Sequence, residues 1–191
     1  MTLILASTSP RRLELLKQIG ITPDSVMAPD CDETPLPYEK PEELALRLSI
    51  AKAHAVRSKH PGTFIIAGDT VVLARAKILS KCNDDAEVRK CLRALSGRRH
   101  RVIGGVCVMN PEGKIFSRVV ISTVAFKRLH EDEISTYVAC GEGVGKAGGY
   151  AMQGRAAAFI KFLSGSPSNV IGLPLHETAQ LLQSSGYDLY A

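Results

Sequence analysis

The chain has 191 residues, of which 45% are hydrophobic and 23% charged, and its 24 lysines and arginines outnumber 19 acidic residues to leave a net charge of +5. This length and balance describe one domain, or two closely packed lobes, with room for a real core, and exclude a disordered or fibrous chain. No apolar run approaches the roughly 18 to 20 residues that span a bilayer, and the short apolar start lacks the basic flank of a secretory signal, so no membrane partner is expected.

A short buried strand is predicted over residues 3–6. Ser9 is placed to cap the helix that follows, with Pro10 at its first position and Gly20 as its left-handed stop. That helix is expected to turn Leu13, Leu16 and Ile19 inward. Residues 31–40 are rich in proline and acidic side chains and read as a loop. A second helix is predicted over 41–58, with Leu44, Leu48, Ala51 and Ala55 as its apolar stripe. Lys52 falls roughly 70° from the centre of that stripe at ~100° per residue, which puts it at the rim of the buried face.

Residues 64–74 read as a long strand interrupted by Gly68-Asp69-Thr70. Asp84 is placed to cap a third helix through Leu95, with Val88, Cys91, Leu92 and Leu95 on one face and Gly97 at its end. Two strands, 100–109 and 114–127, flank an Asn110-Pro111-Glu112-Gly113 turn. A helix over 131–140, a glycine-rich loop over 141–154, a strand over 157–163 and a helix over 174–184 complete the chain. Helices alternate with strands first and hairpin strands come later, so the fold class is α/β with a mixed sheet. No linker-like boundary interrupts it, and the chain reads as a single domain over 1–191.

The modest basic excess suits a site for a polyanion as well as it suits nucleic acid. Arg98-Arg99-His100-Arg101 is the one basic cluster, and a solvated turn accounts for it better than a nucleic-acid patch. The five cysteines, Cys31, Cys82, Cys91, Cys107 and Cys140, are odd in number and widely spaced. They fit neither a disulfide framework nor a zinc site, and read as inert small hydrophobes in a reducing, cytoplasmic compartment.

Chemistry concentrates in a few places. In Ser7-x-Ser9-Pro10-Arg11-Arg12, backbone N–H groups at a helix start, two hydroxyls and two guanidiniums converge, as a phosphate cradle requires. Taken alone, such a run is more often a capped helix with solvated arginines. Asp69 is stronger. A carboxylate within Phe64-Ile65-Ile66-Ala67-Gly68-Asp69-Thr70-Val71-Val72-Leu73 is costly unless a metal, a cation or hydrogen bonds compensate it. Gly68 beside it permits a bulge or the close approach of a ligand. Glu33, in the acidic loop, is a candidate to share a divalent cation with Asp69 and phosphate oxygens. Lys52 and Lys81 are candidate cations for the same cleft, although either lysine alone is more often a surface residue. None of the five histidines shows triad or metal spacing, and Gly145-Lys146-Ala147-Gly148-Gly149-Tyr150 matches neither a Walker A loop nor a Rossmann fingerprint.

Together these segments resemble the Maf family of nucleoside triphosphate pyrophosphatases, also named septum formation inhibitor homologues. The resemblance runs through Leu5-Ala6-Ser7-Thr8-Ser9-Pro10-Arg11-Arg12, Asp32-Glu33-Thr34, Ala51-Lys52-Ala53, Ala67-Gly68-Asp69-Thr70-Val71-Val72 and Leu95-Ser96-Gly97 with His100. It continues through Lys146-Ala147-Gly148-Gly149-Tyr150-Ala151-Met152-Gln153-Gly154 to Asn169-Val170-Ile171-Gly172-Leu173-Pro174-Leu175. It implies an inosine triphosphatase-like fold, an elongated mixed sheet flanked by helices with a cleft between two lobes. It also implies Asp69 as proton acceptor, with Ser7, Arg12, Glu33, Lys52 and Lys81 around the triphosphate and its metal. The metal would be magnesium, or alternatively manganese or cobalt, held by Glu33 and Asp69. Homodimers are typical of the family.

Within the family, the branch acting on dTTP and UTP carries Arg, Thr and Gln at positions matching Arg11, Thr70 and Gln153, which would recognise the base. Cys82 departs from the pattern by replacing a common proline after Lys81. The expected activity is hydrolysis of a pyrimidine nucleoside triphosphate to its monophosphate and pyrophosphate, by metal-assisted attack of water on the α-phosphorus. Lys52, Lys81, Arg12 and the Ser7/Ser9 turn would offset the phosphate charge. The rival expectations are a nucleotide- or nucleic-acid-binding regulator of cell division without catalysis, and a pyrophosphatase for a purine or modified nucleotide such as 7-methyl-GTP.

Overall fold

The computed structural model describes residues 1–189, and the chain divides into two compact units. The described residues form a seven-stranded mixed sheet flanked by helices, in the order β2-β1-β3-β5-β6-β7 with β4 paired to β3. Strands β3 (Phe64–Ala74), β5 (Arg99–Met109) and β6 (Ile115–Phe126) contribute residues to both units. This is the α/β architecture expected from the alternation of elements.

The first unit comprises Met1–Thr70, Gly104–Val120 and the chain from Gly172 on. At its centre β1 (Leu3–Ala6) is buried along its whole length, as an apolar run without alternation demands. It pairs in parallel with β2 (Ser25–Met27) on one side and β3 on the other, Leu3 opposite Phe64 and Ala6 opposite Ala67. Helices α1 (Pro10–Gln18), α2 (Pro41–Arg57) and α6 (Leu175–Ser184) belong to this unit. Its core gathers Ile4, Ala6, Ala53, Val56, Ile65, Ala67, Cys107 and Met109. Gly105 on β5 is required here: a Cβ at that position would sit 2.0 Å from the Ala45 carbonyl oxygen on α2.

The second unit comprises Val71–Ile103 and Ile121–Ile171. It contains the short strand β4 (Lys77–Leu79), antiparallel to the end of β3, and helix α3 (Asp85–Leu95), whose first turn is capped by the Asp84 carboxylate accepting from the Glu87 N–H at 2.8 Å. Helix α4 (Glu131–Ala139), a 3-10 turn (Arg155–Phe159), strand β7 (Ile160–Ser164) and helix α5 (Pro167–Ile171) follow. The core is partly aromatic. Phe126 and Tyr150 meet edge to face at 4.9 Å, and His100 and Phe159 pack on Phe126.

Several expectations are corrected. Strand β3 is continuous through Gly68-Asp69-Thr70 rather than interrupted. On α1 the buried residues are Leu15 and Leu16, while Ile19 is 40% exposed, because the helix stops at Gln18 and leaves Ile19 at its end. On α2 the buried face is rotated toward Leu44, Ala45, Leu48, Ser49, Lys52, Ala53 and Val56. Lys52 therefore lies on that face, not at its rim. Strands β2 and β4 and helix α5 are additional elements. The β3–β4 turn is made by Arg75 and Ala76 with φ of 49° and 61°, a left-handed pair that carries none of the usual Asn or Gly signal. The last strand begins at Ile160, three residues later than expected, because Arg155–Phe159 close into the 3-10 turn.

Candidate active site

Two side-chain groups in the first unit bring together most of the residues singled out in the sequence. The first is built on the turn from β1 into α1. Ser7 is buried, and its Oγ accepts from the Ser9 N–H at 3.1 Å. Ser9 occupies the N-cap position, but its hydroxyl makes no capping hydrogen bond, which corrects the sequence expectation: Ser7, two residues earlier, engages the turn instead.

Arg12, one turn into α1, is the hub of this group. Its Nε donates to the Gly172 carbonyl at 2.8 Å, one terminal nitrogen donates to Ser7 Oγ at 3.1 Å, and the other donates to Thr70 Oγ1 at 3.3 Å. The planar fork fixes three segments distant in sequence. Burial lowers the Arg12 guanidinium below its ordinary range, Asp69 opposes that, Arg11 adds to it and Glu33 opposes it again. A Cβ at Gly68 would crowd the Gly105 carbonyl oxygen and Leu173 Cδ1, each at 3.3 Å, and would meet Arg12 Nε at an ordinary 3.5 Å. The close approach anticipated at Gly68 is thus made by protein groups. Thr70 Oγ1 also reaches the Gly172 carbonyl at 3.5 Å. Gly172 lies in the motif over 169–175, and no local signal marks its carbonyl as the acceptor for Arg12.

The second group centres on Lys52. Its ammonium donates to Asp69 Oδ1 at 2.6 Å and pairs with Glu33 Oε1 at 2.9 Å. The side chains of Lys52 and Asp69 are 4% and 8% exposed, while Glu33 is 43% exposed. The carboxylate that looked too costly for its strand is thus compensated by a buried cation. Asp69 and Glu33 present two hard oxygen donors to one cationic position. That donor set fits a magnesium ion, which takes one or two carboxylates and completes its shell with water and phosphate oxygens. Among the described residues no group of three or more His, Cys, Asp or Glu converges, so the remaining ligands would come from substrate and water.

The loop carrying Glu33 is held by a contact that sequence reasoning missed. Arg47 on α2 donates from Nε to Glu39 Oε1 at 2.5 Å, and from a terminal nitrogen to Glu39 Oε2 at 2.8 Å and to the Thr34 carbonyl at 3.0 Å. The Arg47 hydrogen bond holds the Glu39 carboxyl down at about 2, opposed by desolvation and helped by the Leu36 N–H. Neither residue stands out locally, because the pair spans a proline-containing loop and a helix turn.

Lys81 and Gln153 belong to the second unit. Lys81 is exposed and forms an isolated antiparallel bridge with Ala147 in the glycine-rich segment. Gln153 is exposed in the turn after Tyr150, and Arg11 is half-buried on α1 in the first unit. No helix among the described residues is long and apolar enough to cross a membrane.

Residues 2–185 match the family described as Maf-like protein. A dTTP/UTP pyrophosphatase of Rhodospirillum rubrum is 54% identical over 185 residues, covering 97% of this chain and 88% of its own. Proteins of the same name from Paramagnetospirillum magneticum and Sphingopyxis alaskensis are each 54% identical; the first covers 97% of both chains and the second 98% of both. Among solved structures, a HAM1 protein from Coxiella burnetii matches 97% of each chain at 16% identity and a TM-score of 0.47.

Proposed function

The chain belongs to the Maf family, and from that premise we propose that it hydrolyses dTTP and UTP to the nucleoside monophosphate and pyrophosphate. The name shared by relatives 54% identical along nearly the full chain supports the substrate class. The observation that carries the chemistry is the buried Asp69 carboxylate held by Lys52 beside Glu33, in the same unit as the Arg12–Ser7 group.

In this reading the triphosphate lies against the start of α1, where the helix N-terminus, the Ser7 hydroxyl and the Arg12 guanidinium favour an anion. Arg12 is already oriented by Gly172 and Thr70, so little ordering is left for substrate to impose. Asp69 accepts the proton of the water that attacks the α-phosphorus, and pyrophosphate leaves. Lys52 holds Asp69 in place, and the family resemblance gives Lys81, in the second unit, the role of a further positive charge for the leaving group. Asp69 and Glu33 would hold a divalent cation, magnesium or alternatively manganese or cobalt, which offsets phosphate charge and makes bound water more acidic. Arg11 and Thr70 recognise the pyrimidine, and the family resemblance adds Gln153, in the second unit, whose amide offers both a donor and an acceptor.

The test is a panel of dTTP, UTP, CTP, the purine triphosphates and 7-methyl-GTP, assayed for pyrophosphate with and without a chelator. Release confined to pyrimidine nucleotides and abolished by chelation is expected. Preference for a purine or modified nucleotide would reassign the substrate, and salt-sensitive DNA binding without turnover would favour a regulator.

A further inference from the structure

The sulfurs of Cys82 and Cys91 lie 3.5 Å apart, although nine residues separate them in sequence. Cys82 follows Lys81 directly and is 2% exposed; Cys91 lies on α3 and is half-buried. Both line a groove of about 830 Å³ together with Ser80, Lys81 and Lys90. A solvent-borne reagent therefore reaches this pair. Gly149 closes the other side: a Cβ there would meet Cys82 Sγ at 3.1 Å and Cys91 Cβ at 3.2 Å. The wide spacing that made these cysteines read as unrelated is removed where the chain at Cys82 meets α3 at Cys91.

We propose that Cys82 and Cys91 are an oxidative modification site, a dithiol that closes to an intramolecular disulfide by exchange with a small-molecule disulfide and thereby displaces Lys81. The coupling to Lys81 rests on the proposed function; the bond itself does not. The Cys91 thiol gives up its proton and its sulfur attacks one sulfur of the reagent, releasing one reduced thiol. Cys82 then gives up its proton and attacks Cys91 Sγ in the mixed disulfide, releasing the second. The protein loses two protons and two electrons, and the reagent gains them.

Closure needs the sulfurs to approach by about 1.5 Å, given a bond of about 2.05 Å. The backbone at Cys82 transmits that movement. Its N–H donates to the Lys146 carbonyl at 3.2 Å, its carbonyl accepts from the Gly145 N–H at 2.7 Å, and the Ser80 carbonyl accepts from the Gly148 N–H at 3.3 Å. Drawing Cys82 toward α3 carries Lys81 and the glycine-rich segment with it. Burial pushes the Cys82 thiol up to about 12, reinforced by Cys91, Glu87 and Asp84. Burial raises Cys91 too, against the Cys82 hydrogen bond, with Glu87 adding to the rise and Lys90 opposing it. Thiolate is scarce near neutrality and exchange is slow, so the pair is read at equilibrium rather than by rate.

The full chain is equilibrated with oxidised and reduced glutathione at a series of ratios, alkylated, digested and mapped by mass. A Cys82–Cys91 cross-link two hydrogens lighter is expected, with Cys31, Cys107 and Cys140 alkylated, and dithiothreitol should reverse it. No cross-link in the folded chain, or only a glutathione adduct on Cys91, overturns the site. Turnover of dTTP by the cross-linked chain is expected to fall about tenfold and to return on reduction. The Cys82→Ala and Cys91→Ala variants should keep their turnover under both conditions. A mapped disulfide with unchanged turnover overturns the coupling. Because the bond is read by mass, absence of turnover in the reduced chain counts against the proposed function alone.

Discussion

The Lys52 ammonium donates to the Asp69 carboxylate across 2.6 Å, with both side chains nearly excluded from solvent. Desolvation penalises each charge, and their pairing offsets it, with Glu33 as a second carboxylate on Lys52 at 2.9 Å. Lys52→Met leaves Asp69 buried and unpaired and should cost about 3 to 5 kcal/mol in urea denaturation. The double variant Lys52→Met with Asp69→Leu should recover most of that loss. A single variant within about 1 kcal/mol of the parent would mean that the pair behaves as a surface ion pair.

Asp69→Asn keeps the volume and a hydrogen-bond acceptor for Lys52 while removing the proposed base. Pyrophosphate release should fall by about 100-fold or more, with an unchanged circular dichroism spectrum. Near-parental turnover would remove Asp69 from the chemistry.

Arg12 uses three nitrogens on three partners, Gly172, Ser7 and Thr70. Lysine keeps the charge and loses the fork. Arg12→Lys should lower kcat/KM for dTTP by on the order of tenfold or more, chiefly through KM if Arg12 binds the ground-state phosphates. Equal kinetics for the two residues would show that charge alone suffices.

Gly105 and Gly20 separate steric from conformational need. An alanine Cβ at Gly105 would collide with the Ala45 carbonyl oxygen, whereas at Gly20, with φ 77°, an added Cβ would have nothing among the described residues within 4 Å. Gly105→Ala should destabilise the chain by about 3 kcal/mol or prevent folding. Gly20→Ala should cost about 1 kcal/mol, the left-handed penalty alone. Thermal denaturation of both variants gives the comparison.

His100 is buried, its Nε2 bonds the Tyr150 hydroxyl at 2.8 Å, and its Nδ1 has no hydrogen-bond partner among the described residues. Burial pushes its imidazole down to about 4 from an ordinary 6.5. Between those values the unfolded chain binds a proton that the folded chain refuses. Stability is therefore full above pH 6.5 and falls as pH drops toward about 4. His100→Gln should flatten this part of a pH series of unfolding midpoints. A parental chain with no slope there, or a variant with the same slope, would place the titration elsewhere.

Much of the architecture is legible in the order of residues because it is local. The buried run at Leu3–Ala6, the Asp84 cap and the glycine stops at Gly20 and Gly97 each follow from neighbours a few positions apart. The α/β alternation and the choice of Asp69 as the anomalous carboxylate were equally visible, since a charge in an apolar strand needs an explanation wherever it occurs. What escaped detection is non-local. The chain order alone did not show that Gly172 orients Arg12, that Arg47 clamps the Glu33 loop through Glu39, or that Cys82 meets Cys91.

Sequence by itself determined which residues this protein has for the proposed chemistry, because residue type carries charge, hydrogen-bonding capacity and helix or strand preference. Tertiary structure alone decided what each of them touches. Lys52 read as a rim residue from helical periodicity, yet it is buried, because the partners that compensate its charge come from a loop nineteen positions earlier and a strand seventeen positions later. Periodicity reports which face of a helix is apolar; only long-range packing supplies the counter-charge that lets an ammonium join it.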